Sequence, residues 1–104
     1  MESQRKLNLL IREFTDKYRD ISDLSEMKYL REKIETIKKE MPRKKGIREI
    51  AGVVSYFHMI DELKMTTKEY CRNNNLNLKI FNQKYKIYHK IFKNIPPHPL
   101  EDIK

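Results

Sequence analysis

The chain has 104 residues and a formal net charge of +8, with only two glycines, four prolines and one cysteine. This length suffices for one domain and is too short for two. One cysteine excludes an intramolecular disulfide and a zinc site built from several cysteines. Because glycine and proline are scarce, we expect long regular elements with few turns and predict an all-α fold.

Helical periodicity begins near the start of the sequence. Apolar residues at i, i+3, i+4, i+7 and i+11 predict a first helix over about residues 3–20. These residues are Leu7, Leu10, Ile11, Phe14 and Tyr18. A second amphipathic helix should begin at Ser22 or Asp23 and end before Pro42, and Asp23 and Glu26 have the spacing of a capping box.

The segment 42–46 (PRKKG) is predicted to form a basic loop before a third helix over about residues 47–63. That helix is apolar almost all round after its first turn, which is typical of a helix surrounded by others. Ala51 and Gly52 would let a neighbouring helix approach closely. A strand over residues 52–57 is rejected because it would stand alone in a helical chain.

Two further helices are predicted around a run of asparagines. Thr66 and Glu69 have capping-box spacing and should begin a short fourth helix. The run from Asn73 to Asn75 should end it, because asparagine tolerates the left-handed conformation that a tight reversal needs. Asn77 can cap the fifth helix. Two interpretations are open at this point: a helix-turn-helix that binds DNA, or a plain pair of core helices.

The fifth helix has one aromatic face and one polar face. The aromatic face contains Phe81, Tyr85, Tyr88 and Phe92. Asn82 and Gln83 fall on the polar face, and both amides can hold adenine in a bidentate pair in the major groove. The alternative is that they are ordinary surface residues. Residues 96–104 are predicted to form a proline-rich, irregular tail.

Nearly all of the surplus positive charge lies in one part of the sequence. Residues 64–93 contain eight lysines and arginines against one glutamate, a net charge of +7. A localised basic segment favours a polyanionic partner. The alternative is a lysine-rich helix face that is merely solvated.

Catalysis finds no support in the sequence. His58, His89 and His98 lie on three different elements, and no glycine-rich phosphate-binding loop is present. We expect His58 to be a hydrogen-bonded core residue and Cys71 to be a small buried group. The prediction is therefore a protein that is not an enzyme, with no metal, no cofactor and no small-molecule substrate. No apolar run approaches 18 residues, and we expect no membrane association.

The order of these motifs resembles one cyclin-fold repeat of the transcription factor B family, most closely the C-terminal repeat. A third helix rich in small residues leads to a tyrosine, a Thr-x-x-Glu start follows, and an apolar residue with a helix cap comes next. The matching residues are Ile50 to Tyr56, Thr66, Glu69, Leu76, Asn77, Phe81 and Tyr85. The resemblance covers about residues 7–92, and only 50–88 carry recognisable motif.

Several features depart from the family pattern. The family has a small or apolar pair and a glycine before the turn, where this chain has asparagines, and its third helix is richer in alanine. The zinc ribbon, the linker and a second repeat do not occur in these 104 residues. We therefore do not expect the chain to act as a complete initiation factor.

The resemblance implies a five-helix cyclin-like domain over residues 1–95, with a buried third helix and a helix-turn-helix at about 66–92. It implies a regulator of transcription that binds double-stranded DNA in the major groove. The expected location is the cytoplasm at the nucleoid of an archaeon, or a host cytoplasm for a viral protein. The alternative is a protein-interaction module that docks on RNA polymerase or TATA-binding protein without reading DNA.

Specific residues follow for the DNA-binding interpretation. Base-facing positions are expected at Lys79, Asn82, Gln83 and Lys86. Phosphate contacts are expected from Lys68, Arg72, Lys84 and Lys90, extended by the basic loop residues Arg43, Lys44 and Lys45.

Overall fold

The computed structural model describes residues 4–21, 23–40 and 46–92. Five α-helices account for all the regular structure in these ranges: α1 Gln4–Thr15, α2 Leu24–Lys39, α3 Ile47–His58, α4 Thr67–Asn73 and α5 Leu78–Ile91. No strand occurs within the ranges, so the predicted all-α class is confirmed.

α1 is shorter than predicted, while α2 has the predicted cap at Asp23 and ends before Pro42 as predicted. α1 stops at Thr15, where the carbonyl accepts from the amides of Tyr18 and Arg19 and the chain turns. α2 is capped by Asp23, which accepts a hydrogen bond from the Ser25 amide at 2.8 Å. The capping box with Glu26 does not form, because the Glu26 carboxylate is bound by tertiary partners instead.

The third helix lies at the centre of the domain and packs against α1, α2 and α5. Eight consecutive residues, from Ile50 to Phe57, are buried. This confirms the prediction of a helix surrounded by others. α3 ends at His58 rather than at residue 63, and turns carry the chain onward while Met59 and Leu63 stay in the core.

Gly52 lies where the segment between α4 and α5 comes closest to α3. A Cβ atom added at Gly52 would lie 2.7 Å from Cδ1 of Leu76, which is closer than real Cβ contacts. The absence of a side chain therefore lets Leu76 seat directly against α3. A close approach at this position was predicted for a neighbouring helix, but the residue that makes it lies in the turn between α4 and α5.

Aromatic rings join α5 to the centre of the domain. Phe57 stacks on Tyr88 with centroids 4.5 Å apart and an interplanar angle of 3°. Tyr56 meets Phe81 edge to face at 5.9 Å, an arrangement that suits the ring quadrupoles. Ring contacts therefore contribute to the packing of α5, together with the aliphatic residues Leu78, Ile87 and Ile91.

Lys33 links α2 to the same end of α5. Its Nζ donates to the Tyr88 hydroxyl at 3.0 Å and lies 4.5 Å from the centre of the Phe92 ring. Burial lowers the pKa of Lys33, but its hydrogen bonds and charge interactions with Tyr29 and Tyr88 outweigh this and leave the pKa above 10.5. Burial likewise raises the pKa of Tyr88 above 10.0, against the effect of Lys33.

Candidate nucleic-acid interface

α4 is fixed at both ends by local hydrogen bonds. At its start, Thr66 and Glu69 form the complete capping box that the sequence predicted. At its end, the Leu76 amide donates to the Cys71 carbonyl at 2.8 Å and the Asn75 amide donates to the Arg72 carbonyl at 3.5 Å. This pair of bonds is a Schellman motif, which ends a helix with one left-handed residue. Because α4 has only 7 residues, these ends define almost all of it.

The four asparagines around the turn have different roles. Asn73 is exposed and is the last residue of α4, while Asn75 has a φ of 58° and supplies the left-handed residue. Asn77 caps α5, and its side chain accepts from the Ile80 amide at 3.0 Å. The predicted positive φ and the predicted cap are both confirmed. Asn74 is only 4% exposed and bonds to the rest of the domain.

Asn74 uses both of its side-chain donors and its acceptor. Its Nδ2 donates to the Tyr18 hydroxyl at 3.0 Å and to the Tyr70 carbonyl at 2.9 Å. Its Oδ1 accepts from Lys17 Nζ at 3.1 Å, and its backbone carbonyl accepts from Arg48 Nη2 at 3.3 Å. The turn is thereby tied to the ends of α1 and α3, so the direction in which α5 leaves it is fixed.

The outer face of α5 is basic and polar. Lys79, Asn82, Gln83, Lys86 and Lys90 are all exposed. At 3.6 residues per turn they fall within an arc of about 100° on the side opposite the buried rings. α5 contains no aspartate or glutamate. The predicted base-facing residues therefore share one solvent-facing surface, which we call the α5 face.

α4 has two exposed cations, and a carboxylate of α3 lies at the start of α5. Lys68 and Arg72 are exposed and four residues apart, so they share one side of α4. Glu49 Oε2 accepts from the Asn77 amide at 3.4 Å, which places a carboxylate at the start of α5. The start of α5 therefore lies beside a carboxylate, whereas α5 itself contains no acidic residue.

Lys84 does not belong to the exposed set, and its predicted phosphate contact is withdrawn. It is 6% exposed, and a Cβ atom at Gly46 would lie 2.9 Å from its Cε. The sequence already held this signal, because Lys84 lies three residues after Phe81 and four before Tyr88, on the core side. The predicted contacts at Arg43, Lys44 and Lys45 lie outside the described residues.

The most polar cluster away from the α5 face is structural. His58 Nε2 lies 2.5 Å from Glu26 Oε2 and 2.9 Å from Arg19 Nη2. These contacts join α2, α3 and the segment between α1 and α2. Burial and the Arg19 charge lower the pKa of His58. His58 is hydrogen-bonded as predicted, but it is half-buried at the edge of the domain rather than in the core. Cys71 is buried, also as predicted. Nowhere in the described ranges do three His, Cys, Asp or Glu side chains converge as a metal ion would require.

The sequence did not predict that Lys17 and Arg48 contact the α4–α5 turn. Each reaches the α4–α5 turn from a distant part of the chain, so no local spacing could have indicated the contact.

Comparisons with protein-family models, curated proteins and solved structures found no match to this chain. None of the helices in residues 4–21, 23–40 and 46–92 combines the length and apolar character needed to cross a bilayer.

Proposed function

We propose that this chain is a regulator of transcription that binds double-stranded DNA through α5. The observation that carries the proposal is the α5 face, an acid-free surface of exposed lysines and amides held behind a fixed turn. Lysines can neutralise phosphates, while Asn82 and Gln83 have the donors and acceptors that pair with adenine. The two chemistries lie side by side on one helix.

The dimensions of α5 suit a major groove. Its 14 residues span about 21 Å at 1.5 Å per residue, and a groove about 12 Å wide admits an α-helix. The lysines at 79, 86 and 90 extend along about 16 Å of that length. A helix entering the groove sideways would set Asn82 and Gln83 towards base edges and the lysines towards flanking phosphates.

The cyclin-like identity of the fold is part of the same proposal. Its support is the arrangement of five helices, with α3 buried at the centre and α4 and α5 forming a helix-turn-helix. The role in transcription comes from the resemblance of residues 50–88 to the C-terminal repeat of the transcription factor B family. The short loop between the two helices, with asparagines in place of small residues and glycine, is the main difference.

The proposal is tested by the salt dependence of duplex binding. Five exposed cations, at Lys68, Arg72, Lys79, Lys86 and Lys90, predict a slope of log K against log salt near −4.5, about −0.9 for each phosphate. The triple variant Lys79→Ala, Lys86→Ala, Lys90→Ala should flatten the slope by about 2.7. At 0.1 M salt it should bind roughly 500-fold more weakly.

The matched control removes three lysines elsewhere. The variant Lys6→Ala, Lys28→Ala, Lys39→Ala has the same net charge, and all three positions are exposed on α1 and α2. It should keep a slope close to that of the wild type. If the wild type binds duplex DNA no better than the α5 triple variant, the α5 face is only solvated. A module that docks on RNA polymerase or TATA-binding protein would then be the better interpretation.

A further inference from the structure

A cation from the end of α1 lies at the α4–α5 turn. Lys17 follows α1, is exposed, and directs its Nζ to the Asn73 carbonyl and the Asn74 Oδ1, both at 3.1 Å. The Asn73 carbonyl is at the C-terminal end of α4, where the helix dipole favours a positive charge. The ammonium is therefore held beside the turn that orients the α5 face.

The charge of Lys17 differs from that of the other cation at the turn. Arg48 also binds Asn74, but its Nη1 is 2.6 Å from Glu13 Oε2, so a carboxylate balances it. Lys17 makes no ion pair with any described residue. An ammonium group has three N–H donors, and the two contacts with oxygen account for two of them. One donor remains for an anion.

We propose that Lys17 is a phosphate contact of the DNA-binding surface, which extends this surface from α4 and α5 to the end of α1. The inference rests on the proposed function. Arg72 is exposed and directly precedes Asn73, so the Lys17 ammonium binds the residue next to a cation already assigned to the DNA-binding surface. Because two hydrogen bonds already hold the ammonium, less side-chain freedom is lost when it meets a phosphate.

The test compares two substitutions at Lys17 with one control. Lys17→Gln keeps a hydrogen-bond donor near the turn but removes the charge. It should flatten the slope of log K against log salt by about 0.9 and weaken duplex binding about 8-fold at 0.1 M salt. Lys17→Arg keeps the charge and should restore both values. Lys28→Gln, at an exposed position on α2, should change neither.

The outcomes separate this inference from the function on which it rests. If Lys17 served only to hold the turn, Lys17→Gln would weaken binding equally at every salt concentration and leave the slope unchanged. That result would overturn the phosphate contact, while the α5 triple variant could still support DNA binding. If the wild type shows no salt-dependent duplex binding, both proposals fail together. Thermal unfolding of Lys17→Gln without DNA would measure separately how much Lys17 stabilises the turn.

Discussion

α2 and α5 are both amphipathic helices that pack against α3, but they carry their charges differently. α2 has five lysines and arginines interspersed with three glutamates. Its Lys38 lies 3.7 Å from Glu35, and its Lys33 covers aromatic rings. α5 has four lysines and no acidic residue, and only Lys84 is buried. Lysine is common on both helices, but only α2 also carries acidic residues.

The comparison shows that lysine content alone does not indicate a polyanion site. The field of a cation reaches a ligand only where neighbouring carboxylates do not cancel it, and salt screens what remains beyond about 10 Å at 0.1 M. On α2 three glutamates offset part of the charge of the five cations. On α5 the lysines add to one another, and this difference can be tested by substitution.

α3 packs against both α2 and α5, and the largest effect should come from truncating its residue Phe57. Phe57 is 6% exposed and stacks on Tyr88 of α5. Phe57→Ala should lower the free energy of unfolding by ~3–5 kcal/mol, because it leaves a cavity at the centre of the domain. Urea unfolding measures the change, with Leu9→Ala at a 62% exposed position as the control. A similar loss for both variants would contradict the central position of α3.

Base contacts would sharpen the comparison, because they depend on amides rather than charge. Asn82→Ala or Gln83→Ala should each cost ~1–3 kcal/mol of binding on a preferred duplex and almost nothing on a scrambled one. The slope against salt should stay constant, since no phosphate contact is lost. Gln4→Ala removes an exposed amide from α1 and should affect neither duplex. Equal losses on both duplexes would mean that these amides carry no sequence information.

The turn gives a smaller effect on stability. Asn75 has a φ of 58°, which costs about 1–2 kcal/mol for residues with a Cβ atom and most for branched ones. Asn75→Val should therefore destabilise the fold by about that amount, while Asn75→Gly should be tolerated. Asn73→Val, at the exposed helical position, is the control and should cost less. If valine were tolerated at 75, the left-handed turn would not exist in solution.

The smallest expected effect is a change of stability with pH that depends on the contact between Lys33 of α2 and Tyr88 of α5. Lys33 and Tyr88 have pKa values above 10.5 and 10.0, so near those values the folded state holds more protons than the unfolded state. Their contribution to stability is therefore complete at neutral pH and is lost as pH rises through the folded-state values. Tyr88→Phe should reduce this alkaline loss, measured as the unfolding midpoint between neutral pH and about pH 11. An unchanged alkaline loss would argue against the link between α2 and α5.

The caps around α4 and α5 could be predicted because their chemistry is local. Thr66, Glu69 and Asn77 act within four residues of themselves, so sequence spacing contains all the necessary information. The ends of α1 and α3 could not be placed this way. Apolar residues continue into the turns that follow, and Tyr18 and Leu63 pack against the core without being helical.

Tertiary competition explains the other differences from prediction. Glu26 has the right spacing for a capping box, but Arg19 and His58 bind its carboxylate. Lys17 reaches Asn74 across 57 positions of the sequence, a contact that no window of the chain can reveal. The exposed α5 residues were readable from helical periodicity, and the burial of Lys84 was readable from the same pattern.

Gly52 and Leu76 are packed so closely that a side chain at 52 would compete with the Leu76 side chain for the same space. A Cβ atom at 52 would lie 2.7 Å from the present position of Leu76 Cδ1, so the end of the Leu76 side chain would have to shift. A larger residue at 52 would be accommodated most easily together with a smaller residue at 76. Each such exchange would shift the turn slightly and tilt α5, while every residue on its outer face stayed the same. Divergent versions of this domain could therefore change the tilt of α5 without changing the residues on its outer face.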